Sequence, residues 1–374
     1  MKKIPKCWAP WQSIQSRGSS SGITPCCTWF GERFRGTISE YLDSDYLKDI
    51  KNKMFEEELP KECGECNVIE ASGGISDRAH QTQMKARWSP DETNRIINLD
   101  YRPSNLCNLK CRTCKPSDSS KIEAEFAMNK NLSNLFDETK GNDSEIYNTS
   151  VQKQPYDILE YEFPHLKRVV LLGGEPSIMP EAHEFLNTLV ETKKNKDINL
   201  MRFYTNATNT NEKWLNLISQ FNTLAVFSLD GAGKSYDYAR TGASWEEVEK
   251  NFHIIKSKVS DYKIWVVCSI MILPDVENWI DWFLDKNVTW WPMMRPDNSS
   301  LNAMPDEIRL EKIDFLKSLN NTKVTTLINI LESSAFDAKI YDKFKKFHDE
   351  LDRVRDTCFS DTSPTHKRIW EYKE

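Results

Sequence analysis

Ile96-Ile-Asn-Leu-Asp100 reads as a short strand that leads into Leu106-Cys-Asn-Leu-Lys-Cys-Arg-Thr-Cys-Lys115. The three cysteines of that run, Cys107, Cys111 and Cys114, are spaced C-x3-C-x2-C, so one loop can present three thiolates to a single iron–sulfur cubane. A fully ligated 4Fe–4S cluster takes four cysteines, which leaves one iron open here. An open coordination position marks a metal site that does chemistry, as the free position of a catalytic zinc does. Taken alone, the triplet also fits a zinc knuckle that borrows a fourth ligand from elsewhere.

Outward from this loop the chain alternates strands with helices. Strands are expected at Arg168–Leu172, Asn199–Tyr204, Thr223–Leu229, Tyr262–Met271 and Val288–Met293, after the first at Ile96–Asp100. Helical patterns lie between them at Glu181–Lys193, Asn211–Phe221, Trp245–Val259 and Glu277–Lys286. Gly173-Gly174, Thr205-Asn206 and Asp230-Gly231 each fall at the carboxyl end of a strand, where parallel α/β sheets carry their sites. Two glycines in a row allow a ligand to approach the backbone closely, or simply allow a tight turn. Ser228 and Asp230 alternate past Leu229, so hydroxyl and carboxylate share one side of a strand.

The ordered set of the cysteine triplet, Leu171-Leu-Gly-Gly-Glu-Pro176, Tyr204-Thr-Asn-Ala207 and Phe227-Ser-Leu-Asp-Gly231 resembles the radical SAM superfamily. The resemblance implies a partial (β/α)6 parallel barrel, an α/β fold. It implies a catalytic 4Fe–4S cluster on Cys107, Cys111 and Cys114, whose open iron chelates S-adenosyl-L-methionine (SAM). It further implies that Gly173, Gly174 and Glu175 bind the amino group of SAM, and that Thr205 and Asn206 end a cofactor-contacting strand. Ser228 and Asp230 would then contact ribose, and Arg240, in Tyr238-Ala-Arg-Thr-Gly242, would pair with the SAM carboxylate through its planar fork. Thr113 stands where an aromatic residue is common and Ala207 where glycine is common. Ile270, Met271 and Trp291 to Met294 are candidates for the adenine pocket, and each also fits ordinary apolar core.

The first hundred residues supply Cys7, Cys26, Cys27, Cys63 and Cys66. A C-x2-C pair with two distant cysteines suits either zinc or a fully ligated 4Fe–4S cluster. Together with Ile69-Glu-Ala-Ser-Gly-Gly-Ile-Ser-Asp-Arg78, the pattern resembles the twitch and SPASM modules that carry auxiliary clusters, here placed before the barrel. That resemblance favours Cys7, Cys26, Cys63 and Cys66 as metal ligands, with Cys27 competing for the place of Cys26. Disulfides or plain structural cysteines are the alternative.

The 374 residues, 39% hydrophobic, suffice for one large or two medium domains. We expect a Cys-rich auxiliary module over 1–94 and a barrel over 95–304. An inserted loop or lid is expected within 115–164, and a helical extension over 305–374 that closes the open edge of the barrel. No run reaches the roughly 18 apolar residues of a membrane helix, and Met1-Lys-Lys-Ile-Pro-Lys-Cys7 lacks a secretory apolar stretch. A reducing, cytoplasmic setting is therefore expected, with no membrane partner. The net charge of −6 argues against nucleic acid, although a basic face across Lys110, Arg112 and Lys115 would favour it.

The resemblance implies an enzyme that cleaves SAM and abstracts hydrogen from a substrate, a peptide or protein being favoured. It also implies a reductant such as flavodoxin or ferredoxin. The alternatives are a nonenzymatic iron–sulfur or zinc module that only binds SAM, and an enzyme that modifies nucleic acid or a small metabolite.

Overall fold

The fold comes from a computed structural model, which describes residues 4–17, 22–71, 75–88, 95–137, 158–293 and 296–373. Its strands are β1 (Ser13–Arg17), β2 (Gly22–Thr24), β3 (Asn98–Arg102), β4 (Lys110–Cys111) and β5 (Arg168–Leu171). They continue with β6 (Leu200–Thr205), β7 (Thr223–Ser228), β8 (Arg240–Thr241), β9 (Asp261–Cys268) and β10 (Val288–Pro292). Eight of them make one mostly parallel sheet, while β4 and β8 form a separate antiparallel pair. The chain divides into two units, Met1–Asn105 with Ser150–Phe203 and Glu212–Leu224, and Leu106–Thr149 with Tyr204–Asn211 and Ala225–Glu374.

In the first unit the strand order is β6-β5-β3-β1-β2, parallel except for the β1–β2 hairpin. Along β6, buried Met201, Phe203 and Thr205 alternate with half-buried Leu200, Arg202 and Tyr204, the period-two pattern of a strand with unequal faces. The helix Pro180–Glu191 starts on a proline, whose missing N–H costs nothing at that position, and buries Ala182, Phe185, Leu186 and Leu189. Phe185 meets Tyr101 of β3 edge-on at 5.2 Å. In the second unit β9 and β10 run in parallel, with Val288 opposite Ile264. The helix Trp245–Lys256, capped by Ser244, buries Val248, Phe252 and Ile255, and Phe252 packs on Phe227 at 4.7 Å.

All six expected strands are present, and the residues before 95 add a further one, β1, which joins the sheet in parallel beside β3 with Ile14 opposite Leu99. One expectation needs correction. The stretch Glu277–Lys286 is not one helix: a 3-10 segment, Leu273–Asn278, is followed by a short helix, Ile280–Leu284. Trp279 breaks the two apart with non-helical backbone, and its indole N–H donates to the Ile272 carbonyl at 3.1 Å.

After the cysteine loop come the helices Ser120–Met128, with Ser119 as its cap, and Lys130–Asp137. Residues 138–157, within the segment expected to hold the lid, lie outside the described residues. The C-terminal helices are Asp306–Ser318, Thr325–Glu332, Ala338–Arg355 and Pro364–Trp370. Phe347 and Leu351 of Ala338–Arg355 join Ile122, Phe126, Leu132 and Phe136 in one apolar cluster, against which Cys114 packs. Among the described residues no helix is long and apolar enough to cross a membrane.

Candidate iron–sulfur and cofactor site

The cysteine loop belongs to the second unit and is fixed at several points. The Cys107 amide donates to Ser120 Oγ at 3.2 Å, and the Cys114 amide donates to the Cys111 carbonyl at 3.1 Å. Cys111 lies on β4, directly opposite Arg240 on β8. The three thiols interact electrostatically through Cys114, which senses both Cys111 and Cys107. Loss of water around Cys114 pushes its thiol well up. The same effect raises Cys111, opposed by the positive charges of Arg240 and Arg355. Thiols raised in this way stay protonated until a metal takes the proton's place.

Asn206 follows β6 and reaches into this loop. Its amide donates to Asn108 Oδ1 at 3.0 Å and stands 4.0 Å from Cys107 Sγ, while its own oxygen accepts from the Thr208 amide and hydroxyl. Asn206 therefore holds the loop in place, a role the strand-end motif did not reveal. Thr205, buried, accepts from the Ala207 amide at 3.0 Å. Ala207 sits at φ 60°, in the left-handed region. Glycine adopts that region without the cost borne by an L side chain, which gives the common glycine at this position a physical reason.

Arg240 and Asp230 form a buried pair, with Nη2 2.9 Å from Oδ2. Asp230 is fully buried, and its other oxygen accepts the Val267 amide at 2.9 Å. The contact with Arg240 is a charge pairing and not an aligned hydrogen bond, since Asp230 Oδ2 lacks hydrogen-bond geometry to any described residue. Asp230 thus faces Arg240 with one oxygen and accepts from Val267 with the other. Ser228, the last residue of β7, is half-buried. Arg240 Nη1 stands 3.7 Å from Cys111 Sγ. Burial opposes the charge of Arg240, but Asp230 and Cys111 outweigh it and hold the guanidinium charged.

Besides Asp230 Oδ2, two buried polar atoms here lack a hydrogen-bond partner among the described residues: Arg240 Nε and the Tyr236 hydroxyl. Tyr236 interacts electrostatically with Arg240 and Cys111. Orphaned polar atoms beside a thiol triplet are costly unless a ligand satisfies them, and a carboxylate-bearing ligand would do so. The site therefore fits both a cubane on the triplet and an anionic group beside Arg240. Tyr236 carries no local sequence signal.

The Gly-Gly-Glu-Pro stretch lies in the first unit. Gly173 has φ 113°, and a Cβ there would stand 2.4 Å from the Ser104 carbonyl, which also accepts the Gly174 amide at 3.2 Å. Glu175 is buried and caps the next turn by accepting the Ser177 amide at 3.1 Å. Gly173→Ala is expected to lower stability by about 1–3 kcal/mol through forbidden backbone geometry. Denaturant unfolding measures this, and an unchanged midpoint would show that the turn relaxes freely.

Of the adenine candidates, Ile270 and Met271 are fully buried core, Trp291 is 37% exposed and stacks against Trp265 at 5.2 Å, and Met294 lies outside the described residues. The three cations that a basic face would need are paired. Arg112 is buried against Asp352 at 2.5 Å, Lys110 pairs with Glu125 at 2.7 Å, and Lys115 stands 3.6 Å from Asp118. Charges neutralised in this way offer little to phosphates.

The N-terminal cysteines gather in the first unit. Cys7 belongs to an apolar cluster with Trp11, Trp29, Ile50 and Met54, against which Cys26 and Cys63 pack. The Thr28 hydroxyl stands 3.5 Å from Cys26 Sγ and 3.4 Å from Cys66 Sγ. Burial pushes the Cys7 thiol up to about 12, with Cys63 and Cys66 adding to the shift, and pushes Cys63 up to about 11. Cys27 is exposed, and its charged neighbours include Asp100, Arg102 and Glu65. Among the described residues no three His, Cys, Asp or Glu side chains are grouped to hold a single metal ion. Residues 72–74, inside the Ile69–Arg78 stretch, lie outside the described residues.

Residues 101–283 match the family model described as Radical SAM superfamily. Among solved structures, the chain is similar to native anSMEcpe with bound AdoMet and Cp18Cys peptide, at 20% identity and a TM-score of 0.38, over 60% of this chain and 58% of that one. It is similar also to Streptococcus suis SuiB bound to precursor peptide SuiA, at 14% identity and a TM-score of 0.35, over 66% of this chain and 51% of that one. The chain thus spans little more than half the length of either protein. No curated protein matches it.

Proposed function

We propose that this chain, whose residues 101–283 carry a radical SAM superfamily domain, is an enzyme that holds a 4Fe–4S cluster on Cys107, Cys111 and Cys114 and SAM beside Arg240. When bound, the reduced cluster and SAM supply a 5'-deoxyadenosyl radical that abstracts hydrogen from the substrate. The observation that carries this reading is the cysteine triplet beside Arg240 Nε and the Tyr236 hydroxyl, two buried atoms left for a ligand.

The protein's own part is to bind and orient. Arg240 presents a fork already charged and fixed by Asp230, so little ordering remains when a carboxylate arrives. Asn206 and Asn108 fix the loop that presents the thiolates. The experiment is a turnover assay: anaerobically reconstituted protein given SAM and dithionite should release 5'-deoxyadenosine. A cluster-loaded, SAM-bound protein that releases none would favour a module that only binds SAM.

A second 4Fe–4S cluster on Cys7, Cys26, Cys63 and Cys66 belongs to this reading, supported by the shared contact of Cys26 and Cys66 with Thr28 and by the exposed position of Cys27. The substrate we propose is a peptide or protein, and the electron donor a flavodoxin or ferredoxin in the cytoplasm. Because dithionite replaces the donor, Cys63→Ala with Cys66→Ala should still yield 5'-deoxyadenosine while failing to turn over substrate. Circular dichroism must first show that the variant is folded, since ligation and folding are coupled. Normal turnover by a folded double variant would make these cysteines structural only.

A further inference from the structure

Arg112 stands between two of the cysteines, yet its guanidinium is engaged on the C-terminal helix Ala338–Arg355 and the loop that follows. Nη2 lies 2.5 Å from Asp352 Oδ1 and donates to Thr357 Oγ1 at 2.7 Å, Nε donates to the Tyr238 carbonyl at 3.0 Å, and the plane covers the Tyr238 ring at 3.7 Å. Nη1 is 3.2 Å from His348 Nδ1, and the other ring nitrogen of His348 lies 3.0 Å from the Asn298 carbonyl. That arrangement suits a neutral imidazole, with Nε2–H donating to Asn298 and Nδ1 accepting from Arg112.

The end of the same helix grips the loop a second time. Arg355 forks onto Glu125, with Nη2 2.6 Å from Oε2, and its Nη1 donates to the Lys110 carbonyl at 2.8 Å and to Thr241 Oγ1 at 3.3 Å. Those two acceptors lie on β4 and β8, the strands that set Cys111 opposite Arg240. Lys110 shares Glu125 at 2.7 Å. Three cations, Lys110, Arg112 and Arg355, thus face two carboxylates, Glu125 and Asp352, and Arg355 acts electrostatically on Cys111 itself.

We infer that the helix Ala338–Arg355 and Glu125 form a charged backing that positions the cysteine loop and sets the reduction potential of the cluster it holds. The inference rests on the cluster assigned above to Cys107, Cys111 and Cys114. A cluster's potential follows the charge and hydrogen bonding around it, and a buried charge is little screened. Asp352 and Glu125 are positioning residues in this scheme: each holds a cation against the loop and offsets one positive charge.

Redox titration followed by electron paramagnetic resonance tests this, on the signal that changes when SAM is added. Asp352→Asn and Glu125→Gln each remove one negative charge at nearly constant shape. Both should move the midpoint to less negative values, with secondary structure and iron content retained, and Asp352→Glu should move it back toward the original. An unchanged midpoint and line shape in folded, iron-loaded variants would overturn the inference and leave the network as bracing alone. If Asp352→Asn does not fold, Glu125→Gln, on the separate helix Ser120–Met128, decides the matter. A SAM-responsive signal missing from the unaltered protein would instead overturn the cluster reading itself, and this inference with it.

Discussion

Protein carrying Cys107→Ala, Cys111→Ala and Cys114→Ala together is expected to hold about four irons after anaerobic reconstitution, where the unaltered chain holds about eight, two cubanes' worth. It should also release no 5'-deoxyadenosine at all, the largest loss of activity that follows from this structure. All three replacements are needed, because two remaining thiolates could still trap iron on the loop. Cys114 packs against the apolar cluster that Ile122 and Phe126 form with Phe347 and Leu351, so its replacement removes a little apolar contact as well as a ligand. The four N-terminal thiols lie in the other unit and share none of these contacts, so their iron should persist. Iron content by colorimetry, with circular dichroism as the folding control, reads the result. Unchanged iron would remove the triplet as a ligand set, and zinc in place of the remaining four irons would remove the auxiliary cubane.

The parts of this molecule that could be read from the sequence are those whose signal is local. Strands such as Arg168–Leu171 and Thr223–Ser228 are short apolar runs that end in turn residues, as strands covered on both faces must be. The cysteine spacing is local too, since one loop carries all three residues. β1 escaped because Ser13-Ile-Gln-Ser-Arg17 has a single apolar residue. Its neighbour Asn98 donates to Ser13 Oγ at 2.6 Å, so the strand is buried through polar contacts that hydropathy does not register.

The site's supports are equally hidden. Arg112 and Asp352 are 240 residues apart, and Asn108 and Asn206 are 98 apart. Read singly, Arg112 between two lysines looks like a surface cation of a basic face. Only the fold shows that its charge is neutralised inside the protein.

Asp230→Ala is expected to be the most destabilising single substitution in the cofactor site. It strips the partner from a buried guanidinium and the acceptor from the Val267 amide in one step. Breaking a buried pair by removing one member typically costs about 3–5 kcal/mol, because the other charge stays buried without compensation. Asp230→Asn should cost less, since its amide oxygen can still accept from Val267 while only the charge is lost. Both variants release Arg240 from the position that faces Cys111, so SAM binding should weaken as well. A hydrogen bond to a charged group is worth roughly 1.5–3 kcal/mol, which predicts a loss of about tenfold or more in SAM affinity. Denaturant unfolding and equilibrium SAM binding on the cluster-loaded protein separate the two effects. The order Ala below Asn below wild type in stability, with SAM weakened in both, is the signature of a residue that acts through Arg240. If Asp230→Ala loses affinity at wild-type stability, the carboxylate contacts the cofactor directly. If neither quantity moves, the Asp230–Arg240 pair has no part in binding SAM.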